Sequence, residues 1–214
     1  MVNYFSVKFQ DFLRQKRVEK HYYDDEIFAA LDQKVLSGPN PFKVSKRYLQ
    51  EIGESNVYQY GETPLETLEI VGKLLNLQPY DHLVEMGCGR GRGAFFLNHF
   101  FGCRVTGIEQ IPAFVSQAVL IAQMHRIQNI EFRCENMLKT PLNTATCVYL
   151  YGTCLDETEI QFLAKRLAKW PLRVVTTSYP LEDFEILNQA ELRFPWGLAD
   201  VFINQSPALA TCAK

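Results

Sequence analysis

The chain has 214 residues, a formal net charge of −2, 47% hydrophobic residues and 21% charged residues. That length suffices for one domain with a full core, and the composition is that of an ordinary globular protein. The near-neutral charge gives no global pull toward nucleic acid, and no apolar run is long enough to span a bilayer. Residues 1–10 lack the basic-then-apolar layout of a secretion signal. The basic run Arg14, Lys16, Arg17, Lys20 and His21 is interleaved with Asp11 and Glu19, and reads as a solvated helix face. Cys88, Cys103, Cys134, Cys147, Cys154 and Cys212 include no C-x-x-C pair, so no zinc site is expected. Several lie in apolar strand-like runs and read as buried free thiols, which suits a reducing cytoplasm.

In chain order, residues 24–36 carry Ile27, Phe28, Leu31 and Val35 at helical spacing. The stretch Ser37-Gly38-Pro39-Asn40-Pro41 ends that helix, and a shorter helix is expected over 44–51. Thr63-Pro64-Leu65-Glu66 has the form of a capping box with proline at the first helical position, opening a helix to about residue 76. Strands and helices then alternate. Strands are expected at 82–86, 104–108, 130–134, 146–151 and 173–178. Helices are expected at 92–101, closed by Gly102, and along the stripe Ile111, Phe114, Val115, Ala118, Val119 and Ala122. A second capping box, Asp156 to Glu159, opens a helix carrying Ile160, Leu163, Ala164 and Leu167. Residues 184–194 and 198–204 are strand-like and separated only by Pro195-Trp196-Gly197, too short for a helical crossover, so they form an antiparallel hairpin. The expected fold class is therefore α/β, a doubly wound and mostly parallel seven-stranded sheet ending in that hairpin. Residues 1–56 form an N-terminal helical extension packed on a domain spanning 57–214.

Ligands of such sheets bind beyond the carboxyl ends of the strands. There the sequence places Glu85-Met86-Gly87-Cys88-Gly89-Arg90-Gly91 after the first strand. The glycines let a ligand approach the backbone and expose N–H groups at a helix N-terminus. Glu109, followed by Gln110, ends the second strand, where a carboxylate accepts from both hydroxyls of a ribose. Glu135-Asn136-Met137 follows the third strand, where an acidic or amide group reads an adenine amino group. Tyr149 reads as core packing. Tyr151, at the strand end, is the better site candidate, since aromatic walls suit a sulfonium and a cationic or apolar acceptor. His82, His99 and His125 have no partner spacing for a metal or a triad and read as surface or satisfied core histidines.

Glu85-x-Gly87-x-Gly89-x-Gly91 resembles the first motif of the class I methyltransferases, and Gly107-Ile108-Glu109 resembles their second. The terminal hairpin is similar to their sixth and seventh strands, so the resemblance covers about residues 57–205. It implies a Rossmann-like domain that takes S-adenosylmethionine and transfers its methyl group to an amine or hydroxyl. Tyr60-Gly61-Glu62-Thr63 is similar to a stretch of the seven-stranded, non-SET lysine methyltransferases and their small prokaryotic relatives. That resemblance implies contacts from Tyr60 and Thr63 to the methionine part of the cofactor, and a protein lysine as one possible acceptor. Gly152-Thr153-Cys154 stands where the histone enzymes carry an Asn-Asn-Phe-like stretch, and the Asn/Asp-Pro-Pro-Tyr/Phe stretch of base-amino methyltransferases is absent. The acceptor, protein or small molecule, is left open. The expected cofactor-binding set is Tyr60, Thr63, Glu85, Gly87, Gly89, Gly91, Glu109, Gln110, Glu135, Asn136 and Met137, with Tyr60 and Tyr151 as the catalytic candidates and no metal. Two other readings compete. One is a nicotinamide oxidoreductase, because Gly89-x-Gly91-x-x-Ala94 fits G-x-G-x-x-A. The other is a binding protein that keeps the cofactor without catalysis.

Overall fold

Five short runs rich in β-branched and aliphatic residues pair side by side as parallel strands. They are β1 (His82–Met86), β2 (Arg104–Glu109), β3 (Ile130–Cys134), β4 (Cys147–Leu150) and β5 (Arg173–Thr177). The structure, a computed structural model, describes residues 20–142 and 144–212. Central strands β1 and β4 are buried along their whole length, as strands covered on both faces must be. The hairpin strands β6 (Glu185–Phe194) and β7 (Gly197–Gln205) complete a seven-stranded sheet in the order β3-β2-β1-β4-β5-β7-β6. Strand β7 runs antiparallel to both β5 and β6. Asn204 pins that reversal. Fully buried, it donates from Nδ2 to the Val174 carbonyl at 3.0 Å and accepts from the Leu181 N–H at 3.1 Å.

The helices are α1 (Glu26–Leu36), α2 (Pro41–Glu51), α3 (Leu65–Leu74), α4 (Arg92–Phe101), α5 (Pro112–Met124), α6 (Glu157–Leu167) and α7 (Pro207–Cys212). Helix α2 begins three residues earlier than its apolar pattern indicates. Asn40 caps it by accepting from the Lys43 N–H, and Pro41 occupies its first turn. The Asp156 capping box forms as expected, with both reciprocal bonds present. The Thr63 box does not. Helix α3 starts at Leu65, its N-cap is Pro64, and no side chain caps it. Among the described residues the connection from β3 to β4 contains no helix, and its irregular backbone is free to face the strand ends. Of the N-terminal basic run, Arg14, Lys16 and Arg17 lie outside the described residues, while Lys20 and His21 are exposed.

Alternation along β1 sends Leu83 into one apolar layer and Val84 and Met86 into the other. The Leu83 layer is the larger and includes Phe28, Leu31 and Val35 of α1, so this helix shares the core of the sheet. Phe28 packs edge-on to Phe96 and Phe100 of α4, with ring centroids 5.6 and 5.0 Å apart. Beneath them Asp32, 1% exposed, accepts from Nε and Nη2 of Arg92, each at 2.8 Å, and from the Tyr23 hydroxyl at 2.7 Å. Two matched oxygens meeting a planar guanidinium fork make a strong and directional pair. His82 is a satisfied core histidine, its two ring nitrogens bonded to Thr144 and Thr106 at 2.9 and 2.8 Å.

Removing one member of a buried pair leaves an uncompensated charge, which typically costs about 3–5 kcal/mol. Arg92→Leu should therefore lower unfolding free energy in urea by about that amount. The double variant Arg92→Leu/Asp32→Leu should recover most of the loss. A single variant within 1 kcal/mol of wild type would show that the pair contributes little to holding α1 in place.

Candidate functional site

The order of the sheet reverses direction between β1 and β4, the place where open α/β sheets leave a crevice beyond their strand ends. The glycine loop fills one side of it. Gly87, Gly89 and Gly91 have φ of +81°, +55° and +82°, a region closed to most side chains. The loop is tied down by Gly87 and Cys88 N–H groups donating to the Ile108 carbonyl at 2.8 and 3.0 Å. Gly87 and Gly89 face the crevice. Gly91 is set apart from it: a Cβ there would lie 2.6 Å from the Phe132 ring. Its part is to let α4 start close against the sheet rather than to meet a ligand.

Glu109 ends β2 with its carboxylate already oriented by backbone. Gly89 N–H donates to Oε2 at 3.0 Å and Ile111 N–H to Oε1 at 2.9 Å. Burial pushes its carboxyl above the usual range, partly countered by those donors. Around it a cavity of about 200 Å³ is bounded by Tyr60, Gly87, Gly89, Glu109, Gln110 and Tyr151, and by Glu135, Asn136 and Met137 from the β3–β4 connection. Glu135 accepts from the Thr140 hydroxyl, and Asn136 Oδ1 from the Leu138 N–H at 2.8 Å, so this connection is internally braced. Ser45, Leu49 and Glu54 close the cavity from the α2 side. No sequence signal marked those three, because α2 reaches the cavity only through tertiary packing.

A smaller neighbouring cavity is lined by Thr63, Glu85, Gly87, Gly89, Tyr149 and Tyr151. Glu85 sits in it 8% exposed, and its Oε2 has no hydrogen-bond partner. Burial is the main reason its carboxyl is pushed up to about 8. The Thr63 hydroxyl is 2.7 Å from the Tyr149 hydroxyl, which explains the missing helix cap: the side chain turns inward toward central strand β4. Tyr149, read from sequence as plain core, is 1% exposed yet brings a hydroxyl to this cavity. The Tyr60 hydroxyl donates to Glu62 at 2.5 Å, and Glu62 also accepts from Nε and Nη2 of Arg90 at 2.5 and 2.8 Å. Burial and the Glu62 carboxylate both raise the Tyr60 phenol. Arg90 Nη1 continues to the Val35 carbonyl at 3.3 Å. The bracing pair Glu62 and Arg90 escaped the sequence reading, and its only trace there is a bulky cation between two glycines. Among the described residues no group of three or more His, Cys, Asp or Glu side chains could hold a metal.

A sheet in this order, with its single reversed strand and a glycine loop facing an acidic strand end, defines the Rossmann-like fold of the class I methyltransferases. Residues 83–177 match a family model described as a methyltransferase domain. The chain is 30% identical over 151 residues to phosphoethanolamine N-methyltransferase 3 of Arabidopsis thaliana; the match covers 65% of this chain and only 30% of that relative. An RNA methyltransferase from Salinibacter ruber, solved with S-adenosylhomocysteine, superposes with a TM-score of 0.59 at 25% identity, covering 68% of this chain and 94% of that one. Geranyl diphosphate C-methyltransferase from Streptomyces coelicolor shares the fold, with a TM-score of 0.58 at 14% identity, covering 84% of this chain and 97% of that one. The nicotinamide alternative rested on the fit of Gly89-x-Gly91-x-x-Ala94 to G-x-G-x-x-A, and within that stretch Gly91 is packed against Phe132.

Two substitutions probe this geometry. Thr63→Val should cost about 1–2 kcal/mol by taking the partner from the Tyr149 hydroxyl, whereas Thr63→Ser should keep wild-type stability in a thermal melt. Equal stability of all three would show that the Thr63–Tyr149 contact contributes nothing to holding the fold. Glu85 holds its proton in the folded state up to about 8 against an ordinary 4.5. The unfolded chain gives up that proton first, so folding stability falls as pH rises through this window. Glu85→Gln should remove that slope and be more stable than wild type by a few kcal/mol at pH 8 and above. Parallel stability–pH curves for the two proteins would show that Glu85 is ordinarily ionised.

Proposed function

We propose that this chain binds S-adenosylmethionine in the crevice at the strand ends and transfers its methyl group to a nitrogen or oxygen of an acceptor. The observation that carries the reading is the unpartnered Oε2 of buried Glu85, next to a glycine cradle and one strand away from the backbone-oriented Glu109. A buried, orphaned carboxyl is costly unless something supplies a positive group, and the cofactor's α-ammonium would do so. Glu109 would accept from the ribose hydroxyls with the lone pairs its two N–H donors leave free. Glu135, Asn136 and Met137, with Gln110, would face the adenine. Thr63, Gly87 and Gly89 would line the methionine part.

When bound, the cofactor supplies an activated methyl group, so the chain's own task is positioning. Tyr60 and Tyr151 would flank that methyl, a reading supported by their lining both this cavity and the next one outward. Neither acts as a ready base: burial raises both phenols, and the Tyr60 hydroxyl donates to Glu62. An N-methyltransferase among the relatives favours nitrogen as acceptor. The protein-lysine reading is supported by the Tyr60 to Thr63 stretch alone. No helix among the described residues is long and apolar enough to cross a membrane. The free thiols Cys88, Cys103 and Cys147, all buried, favour the reducing cytoplasm.

Calorimetry with S-adenosylhomocysteine tests the cofactor, and label transfer from methyl-labelled S-adenosylmethionine tests the reaction. Charge-assisted bonds from Glu109 contribute about 1.5–3 kcal/mol each. Glu109→Ala should therefore weaken S-adenosylhomocysteine at least tenfold, with the circular dichroism spectrum unchanged. An unaltered dissociation constant would remove Glu109 from the site, and binding without label transfer to any fraction of a cell lysate would favour the non-catalytic alternative.

A further inference from the structure

Beyond Tyr60 and Tyr151 the crevice opens into an outer cavity of about 700 Å³. Tyr60, Gly61, Tyr151 and Cys154 line both it and the inner cavity, so the two adjoin. Its walls are aromatic, and they come from three separate parts of the chain. Phe42 stands on α2, Tyr58 on the following linker and Trp196 on the β6–β7 turn. These side chains are 61%, 75% and 52% exposed, although large aromatic groups ordinarily bury. Each side is stiffened by a neighbouring ring. Phe42 meets Tyr60 edge-on at 5.3 Å, while Trp196 stacks on Phe194 at 4.9 Å and meets Tyr151 at 5.4 Å.

We propose that this outer cavity is the acceptor site and that it takes a small organic amine, held as a cation against the Tyr58 and Trp196 faces. The proposal rests on the methyltransferase reading and deepens it. Aromatic faces attract ammonium groups through the ring quadrupole. The protein already makes this contact on Tyr58, where Lys46 Nζ lies 4.7 Å from the centre of the ring. The charged residues that line the cavity are paired within the protein, and a ligand ammonium at the Tyr58 face would take the place of Lys46, leaving Trp196 as the unoccupied face. Arg92 is held by buried Asp32 and Glu62 by Arg90. The volume falls within the usual 300–1,000 Å³ of small-molecule sites, so the bowl accommodates a whole molecule rather than a single threaded side chain.

An amine also fits what the site lacks. A hydroxyl acceptor needs a base to take its proton, and the lining carboxylate of Glu62 is occupied by Arg90 and Tyr60. An ammonium needs only desolvation. Moving inward from the rim to the phenol-walled neck disfavours its charged form, and the proton it sheds passes to bulk water.

The test uses the full chain and a pair of probes alike in shape, choline and its uncharged counterpart 3,3-dimethylbutan-1-ol. Trp170→Phe leaves Trp196 as the reporter, since the chain has two tryptophans. Choline should quench its fluorescence and bind at least tenfold more tightly than the neutral alcohol, with or without S-adenosylhomocysteine. By calorimetry, Trp196→Leu should weaken choline at least fivefold and leave S-adenosylhomocysteine within twofold of wild type. Equal binding of the two probes, no choline binding, or an unchanged choline affinity in Trp196→Leu would overturn the proposal. So would methyl label that enters only the protein fraction of a lysate. Failure of wild type to bind S-adenosylhomocysteine, with choline selectivity intact, would instead overturn the methyltransferase reading on which the proposal rests.

Discussion

The bidentate pair between Arg92 and Asp32 joins the first turn of α4 to the middle of α1, and the site is suspended from that junction. A glycine loop is conformationally loose by nature. Here its far end is clamped by a buried ion pair and its near end by two N–H bonds to Ile108. Arg90, between two of the glycines, carries a second clamp outward to Glu62 and the Val35 carbonyl. Loop, N-terminal helices and the Tyr60 to Thr63 segment are thereby held as one unit. Without such bracing, backbone N–H groups would have to be ordered each time a ligand arrived, at an entropic cost per residue.

Glu85 shows the opposite balance. Nothing in the fold needs a carboxyl at 8% exposure with one oxygen unpartnered, and its raised proton affinity marks a stability penalty at neutral pH. Glu109, two registers along on the neighbouring strand, is nearly as buried but accepts two backbone donors. The first carboxyl is left waiting for a partner and the second is pre-aimed. That difference fits the zwitterionic, ribose-bearing ligand proposed for the site, and it resembles the general pattern in which functional groups stand in locally unfavourable surroundings.

The reversed strand β7 connects the sheet to the outer cavity. Because β6 and β7 form a hairpin with a two-residue turn, Trp196 is delivered to the same end of the sheet as the glycine loop. A parallel crossover would instead have returned the chain to the opposite end. Asn204 secures that arrangement from within the sheet, bonding Val174 and Leu181 at once. The outer cavity thus takes one wall from the hairpin, and the inner cavity is built at the ends of the parallel strands.

Much of this was legible in the chain itself, because it depends on local chemistry. Strand positions, the α4 boundaries with Gly91 and Gly102, the Asp156 cap and the terminal hairpin follow from hydrophobic period and turn residues. The glycine loop and Glu109 were legible for the same reason: positive φ and a strand-end carboxylate are encoded within a few residues. Thr63 and Tyr149 were not. A threonine before proline reads as a cap, and a tyrosine in an apolar strand reads as core, until the fold brings two residues 86 positions apart within 2.7 Å. The same holds for Asp32 with Arg92, and for the aromatic bowl of Phe42, Tyr58 and Trp196. Sequence periodicity records which face of an element is apolar, but the partner across a packing interface is chosen only when whole elements dock, and that choice decided the site's bracing and its outer wall.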